Sequence, residues 1–151
     1  MKQIIQLNPN RTAIIKEAFE NHRQERYCSA ITLLLTQVDG ICCDEFEKLF
    51  FYNDRDARKN SIYKPEVEVE LRKRADSLTE LYLEVLKTST GINDLSKNVC
   101  KYPVRLNRHE ILHGMDYEYG TKLNSLKIIS FISFINDIVR YGSDRKRSSR
   151  Q

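Results

Sequence analysis

Residues 121–142 read TKLNSLKIISFISFINDIVRYG, and the spacing of their apolar positions decides the fold class. Leu123, Leu126, Ile129, Phe131, Ile132, Phe134, Ile135, Ile138 and Val139 recur at the three-and-four interval of an α-helix and give it a wide apolar face. Thr121 is placed to cap this helix and Gly142 to end it. Further back, Ile14, Ile15, Ala18 and Phe19 keep the same beat. So do Tyr27, Ala30, Ile31, Leu34, Val38, Ile41 and Cys42, which predicts one bent helix or two successive helices over residues 9–50. Asn8 fits as the cap of the first, with Pro9 at the first helical position, where a missing N–H does no harm. Another helix is expected from Pro65 through Val67, Leu71, Ala75, Leu78, Leu81 and Val85, ending near Lys87 and Gly91. A short one follows Pro103, from Leu106 to His113, and stops at Gly114. IIQL at residues 3–6 is the one early strand-like run, and no tight hairpin signal sits between alternating segments. The expected fold is all-α, an up-and-down helical bundle.

Length and composition agree with that reading. A chain of 151 residues matches one ordinary domain, so a single helical domain is expected over residues 1–143, followed by a basic, disordered tail over 144–151. Five glycines and three prolines are few breakers, which favours long helices. No apolar run reaches the ~18–20 residues of a membrane span, and MKQIIQLNPN lacks the features of an export signal. The expected location is the cytoplasm, with no membrane partner. Cys28, Cys42, Cys43 and Cys100 are too few and too irregular for a disulfide framework, and they read as reduced, mostly buried residues. Against 21 acidic residues stand 25 basic ones, a net +4, of which the segment 144–151 carries +3 through four basic residues and one acidic one. A body of only +1 argues against tight, general binding of RNA. Residues 53–64, NDRDARKNSIYK, mix both signs without periodicity and read as an exposed connection.

Two of the three histidines fall in residues 107–114, NRHEILHG, beside an arginine and a glutamate. Read as HExxH, His109 and His113 share a helix face and can hold Zn²⁺, with Glu110 as the general base of a peptidase. That reading needs a third ligand. His22 is far upstream, the longer HExxHxxGxxH form is absent, and an acid such as Asp137 would have to serve. Read one residue earlier, RHEILH is Arg-x4-His. A plain structural role is the third possibility, with Arg108 pairing to an acid and His113 bonding a carbonyl at the helix end.

The stretch LNRHEILHGMDYEYGTKLNSLKIISFISFI, residues 106–135, resembles the C-terminal half of bacterial HEPN-like domains. In those domains N-R-H-x-I-L-H-G is followed by Y-G-T, N-S-L-K and a final hydrophobic helix. The resemblance implies a small all-α homodimer and a metal-independent ribonuclease that takes no cofactor. Metal-free cleavage uses the 2′-OH of the RNA as nucleophile, a base and an acid for proton transfer, and a cation for the charge gathering on phosphorus. His113 then supplies the base or acid, Arg108 the phosphate clamp, and His109 a second titrating group. Asn107 offers a neutral donor, Tyr117 and Tyr119 can stack on bases, and Glu110 is an exposed helix residue. The family often sets an acid on an earlier helix against the motif, and Asp39 is the positional match. On one helix Arg108 and His113 lie ~140° apart, whereas His109 and His113 differ by ~40°. The family meets this with a dimer whose motif helices face each other, and its members act in defence, stress or toxin–antitoxin settings under an inhibitory partner protein. Other members keep the fold as a non-catalytic binding or dimerisation module.

Overall fold

The apolar beat from Tyr27 to Phe46 becomes one continuous helix because no proline interrupts it and its buried positions, Ala30, Ile31, Leu34, Leu35, Val38, Ile41 and Cys42, keep one side. A computed structural model describes residues 1–52, 66–73, 80, 83, 90–94 and 96–148, and every regular element among them is helical. We number the α-helices α1 (Lys2–Leu7), α2 (Thr12–Arg23), α3 (Tyr27–Phe46), α4 (Glu66–Arg72), α5 (Arg108–Leu112) and α6 (Lys122–Ser148). Short 3-10 turns occupy Pro9–Arg11 and Ser96–Lys101. The connection expected at 53–64 and most of the helix expected beyond Arg72 lie outside the described residues. No helix among the described residues is long and apolar enough to cross a membrane.

Two compact units divide the chain: Met1–Gln37 with Thr90–Ser133, and Val38–Ser89 with Phe134–Gln151. The first buries Ile15 and Ala18 of α2, Ile31 and Leu34 of α3, Leu106, Ile111 of α5, and Ile128 and Ile132 of α6. The second buries Ile41, Phe46, Phe50, Val67, Leu71, Leu83 and Ile135. Each fully buried aliphatic or aromatic side chain contributes about 1.5–3 kcal/mol against its exposed state.

The strand-like run IIQL is part of α1 and buries Ile4, in keeping with an all-α chain. Four expectations are corrected. Asn8 and Pro9 stand at the N-cap and first position of the 3-10 turn that leads into α2, but the Asn8 side chain does not cap it. Its Nδ2 donates to the Ile4 carbonyl at 2.8 Å, closing α1, and α2 starts after the 3-10 turn, where the Thr12 hydroxyl donates to the Pro9 carbonyl at 2.8 Å. Gly142 does not end α6, which continues to Ser148, so the disordered tail expected from 144 is helical as far as described; one interior glycine costs only ~1 kcal/mol against alanine, too little to stop a long helix. Leu123 and Leu126 are exposed (52% and 44%), because the buried edge of α6 begins instead at Asn124, whose Nδ2 donates to the Arg105 carbonyl, and Ser125, whose hydroxyl bonds His22. Of the cysteines only Cys42 is buried, which pushes its thiol well above the ordinary range; Cys28, Cys43 and Cys100 are exposed, and all four are free.

Candidate functional site

A helix of five residues has no interior that satisfies its own ends, so α5 depends on its flanks. Asn107 is its N-cap, with extended backbone (φ −122°, ψ 120°) and a wholly buried side chain. Its Oδ1 accepts from the Glu110 N–H at 3.1 Å, while Nδ2 donates to the carbonyls of Gly91 and Asp94, each at 2.9 Å. The Arg108 N–H finds the Ile92 carbonyl at 3.0 Å. The loop 91–94 is pinned in turn, since Asp94 accepts from the Tyr102 hydroxyl at 2.7 Å and from Asn98 Nδ2 at 3.0 Å. That bond to Asp94 raises Tyr102 above the usual tyrosine range.

At the other end His113 is the C-cap and Gly114 turns left-handed at φ +70°, a conformation that favours glycine. The turn lets the N–H groups of Met115 and Asp116 reach back to the Glu110 carbonyl at 2.8 and 3.2 Å. Glu110 itself is buried, against the expectation of an exposed position. Its Oε2 accepts from Arg105 Nε at 3.1 Å and Nη2 at 2.9 Å, because a carboxylate leaving water needs a charged partner. The hydrogen bond and the charge of Glu110 raise Arg105 above its ordinary value. Buried Asp116 stands 3.5 Å from Arg105 Nε and accepts from the Glu118 N–H at 2.9 Å.

The start of α6 locks the same loop. Thr121 caps it as expected, its hydroxyl accepting from the Asn124 N–H at 3.1 Å, and Asn124 Nδ2 donates to the carbonyls of Arg105 and Tyr119 at 2.9 and 3.0 Å. Ser125 Oγ shares a 2.8 Å hydrogen bond with His22 Nδ1, and the Tyr119 hydroxyl shares one of 3.0 Å with Thr32. Tyr119 is thus a loop anchor.

The polar residues of 107–125 therefore sort into two sets. Asn107, Glu110, Asp116, Thr121, Asn124 and Ser125 are consumed by structure. Asn107 accordingly has no donor to offer a substrate, which corrects its expected supporting role: both of its amide hydrogens are taken by carbonyls inside the protein. Glu110, held by Arg105, is likewise removed from the role of general base beside a zinc ion. Among the described residues no group of three His, Cys, Asp or Glu side chains is placed to hold a metal. Asp39 lies in the second unit, where its carboxylate accepts from the Phe51 N–H at 2.9 Å.

Both histidines of the motif face water. His109 and His113 are exposed, their ring centres 4.4 Å apart, and among the described residues neither imidazole is held by a hydrogen bond. Arg108 is half-buried at the first helical position. Tyr117 is 86% exposed, and Leu112 and Met115 are exposed beside it in sequence. Arg105 and Asn124 were not singled out by the sequence. The Asn-x-x-Glu spacing of 107 and 110, a helix-capping signal, is legible there and points to a structural role for Asn107. Compared with family models, with curated proteins and with solved structures, the chain matches none.

Proposed function

We propose that this protein is a homodimeric, metal-independent RNA endonuclease of HEPN type, acting in the cytoplasm without a cofactor. The observation that carries the reading is the exposed imidazole pair of His109 and His113, on α5 and its C-cap, in a segment that Asn107 and Glu110 hold in place. A fixed backbone under two exposed imidazoles suits proton transfer at a phosphodiester. In the proposed reaction one imidazole takes the proton of the ribose 2′-OH, whose oxygen attacks phosphorus. A second imidazole protonates the departing 5′-oxygen, and the products are a 2′,3′-cyclic phosphate and a free 5′-OH. Arg108 stabilises the charge that gathers on the phosphoryl oxygens. Since Arg108 and His113 diverge by ~140° around one helix, the cleft is assembled from two copies of α5 across a two-fold axis. An inhibitory partner protein would restrain such an activity in a defence, stress or toxin–antitoxin setting.

Exposed Leu112, Met115 and Tyr117 favour a second reading, a non-catalytic binding or dimerisation module. Incubating the full chain with an RNA pool in excess EDTA separates the two. Cleavage that survives chelation and falls ~10²–10⁴-fold in His113→Ala or Arg108→Ala supports the nuclease. No cleavage of any RNA at any protein concentration leaves the module.

A further inference from the structure

The spacing of the two imidazoles suits chelation as well as proton transfer. His109 and His113 are four residues apart, on one face of α5 and its C-cap, and their ring centres are 4.4 Å apart at an interplanar angle of 55°. Two imidazoles bound to one ion through nitrogens at ~2.0–2.1 Å place their ring centres ~4.5–5 Å apart at angles of roughly 90–110°. The observed ring-centre spacing lies within a few tenths of an ångström of that range. Neither ring has to break a hydrogen bond to another described residue or leave a buried site to reach it. Imidazole selects Zn²⁺, Cu²⁺ and Ni²⁺ over Mg²⁺ and Ca²⁺, which prefer oxygen.

We propose that His109 and His113 together bind a divalent transition-metal ion, and that the ion switches the site off. The inhibitory half rests on the nuclease reading above; the binding half does not. A metal on both imidazoles occupies the lone pairs that would accept the 2′-OH proton, and competes with the proton the leaving oxygen needs. It does not create a metal-hydroxide hydrolase in exchange, because the carboxylate next in sequence, Glu110, is buried against Arg105 at 2.9 Å. With no third protein ligand among the described residues, the other coordination positions fall to water, so binding is reversible and chelators restore activity.

The test is titration of the metal-free full chain with Zn²⁺ and, separately, Ni²⁺, followed by calorimetry and by the imidazole proton signals, with Mg²⁺ as the hard-ion control. One ion per chain is expected, perturbing the His109 and His113 rings together. His109→Ala and His113→Ala should each weaken binding about tenfold or more, as two-point attachment becomes one-point. Circular dichroism confirms that the variants remain helical. Binding that persists unchanged in both variants, through the exposed Cys28, Cys43 or Cys100 or through His22, overturns the proposal, as does Mg²⁺ binding equally well. The RNA assay is run alongside. Cleavage in EDTA that stops on adding Zn²⁺ supports the switch, and cleavage unaffected by saturating Zn²⁺ refutes it. Absence of cleavage with and without chelator defeats the nuclease reading while the titration still decides the metal site.

Discussion

At the scale of the residue, Asn107 shows how one position in a motif-like string can be misassigned by its company. Beside an arginine and two histidines it reads as part of the chemistry, yet its three hydrogen bonds close α5 and clamp loop 91–94. Asn107→Ala removes a helix cap, a loss of about 0.5–2 kcal/mol, and strips donors from two interior carbonyls, at about 1–3 kcal/mol each where no water reaches them. Asn107→Asp keeps the acceptor for the Glu110 N–H but turns a carboxylate oxygen toward the carbonyls of Gly91 and Asp94. It is therefore expected to be at least as destabilising as alanine at neutral pH. The new carboxyl, raised by burial and by those carbonyls, gives back stability as pH falls and it takes up a proton, so the gap between the two variants narrows toward about pH 4. Thermal melts of both variants across pH check this. A melting temperature unchanged in Asn107→Ala would restore the residue to the surface chemistry from which its burial removes it.

At the scale of the element, helix periods were legible and helix faces less so. The beats of α2 and α3 put Ile15, Ala18, Ile31 and Leu34 inside as the spacing requires, whereas the rule that apolar residues go inward misplaces the start of α6. There Asn124 and Ser125 occupy the interior, bonded to the Arg105 and Tyr119 carbonyls and to His22, while Leu123 and Leu126 stay exposed. A hydropathy pattern does not encode that preference, since it scores a polar side chain without knowing its partner. Gly120, between Tyr119 and the Thr121 cap, has an equally non-local reason: a Cβ there would lie 2.2 Å from Cys28 Sγ on α3. The sulfur ends a short side chain that can swing away, so Gly120→Ala should cost about 1 kcal/mol, the size of an enforced rotamer change, and not the several kcal/mol of a backbone clash. In a Cys28→Ala background the same substitution should cost close to nothing, because the next contacts, at 3.6 Å, are ordinary. Chemical denaturation of the four members of this double-mutant cycle measures the coupling. Equal costs in both backgrounds would mean that Gly120 is needed for its backbone freedom and not for room.

At the scale of the whole molecule, the all-helical class followed from few breakers and repeated three-four beats, but the division into two compact units did not. Two of its three boundaries, Gln37/Val38 and Ser133/Phe134, fall inside α3 and α6, where no linker marks them, and only Ser89/Thr90 lies beside a breaker, Gly91. Charge acts at this scale as well. A net +4 concentrated in 144–151 leaves a body near +1, so an RNA cleft on this protein is electrostatically sparse. If Arg108 from each of two copies supplies the phosphate contacts, about two counterions are released per bound strand. The affinity for single-stranded RNA should then fall with a log–log salt slope near −1.4, at about −0.7 per phosphate. Anisotropy of a labelled RNA on the His113→Ala protein, which binds without cleaving, gives that slope between about 50 and 200 mM salt. A chain truncated after Gly142 tells the contributions apart, because it removes Arg145, Lys146, Arg147 and Arg150 while leaving α5 untouched. An unchanged slope in the truncated chain, with loss of the slope in Arg108→Ala, assigns the strand to the α5 cleft. A slope steeper than about −4 that collapses on truncation would instead make the basic end of α6 the principal RNA contact, and would remove the electrostatic argument for a confined site.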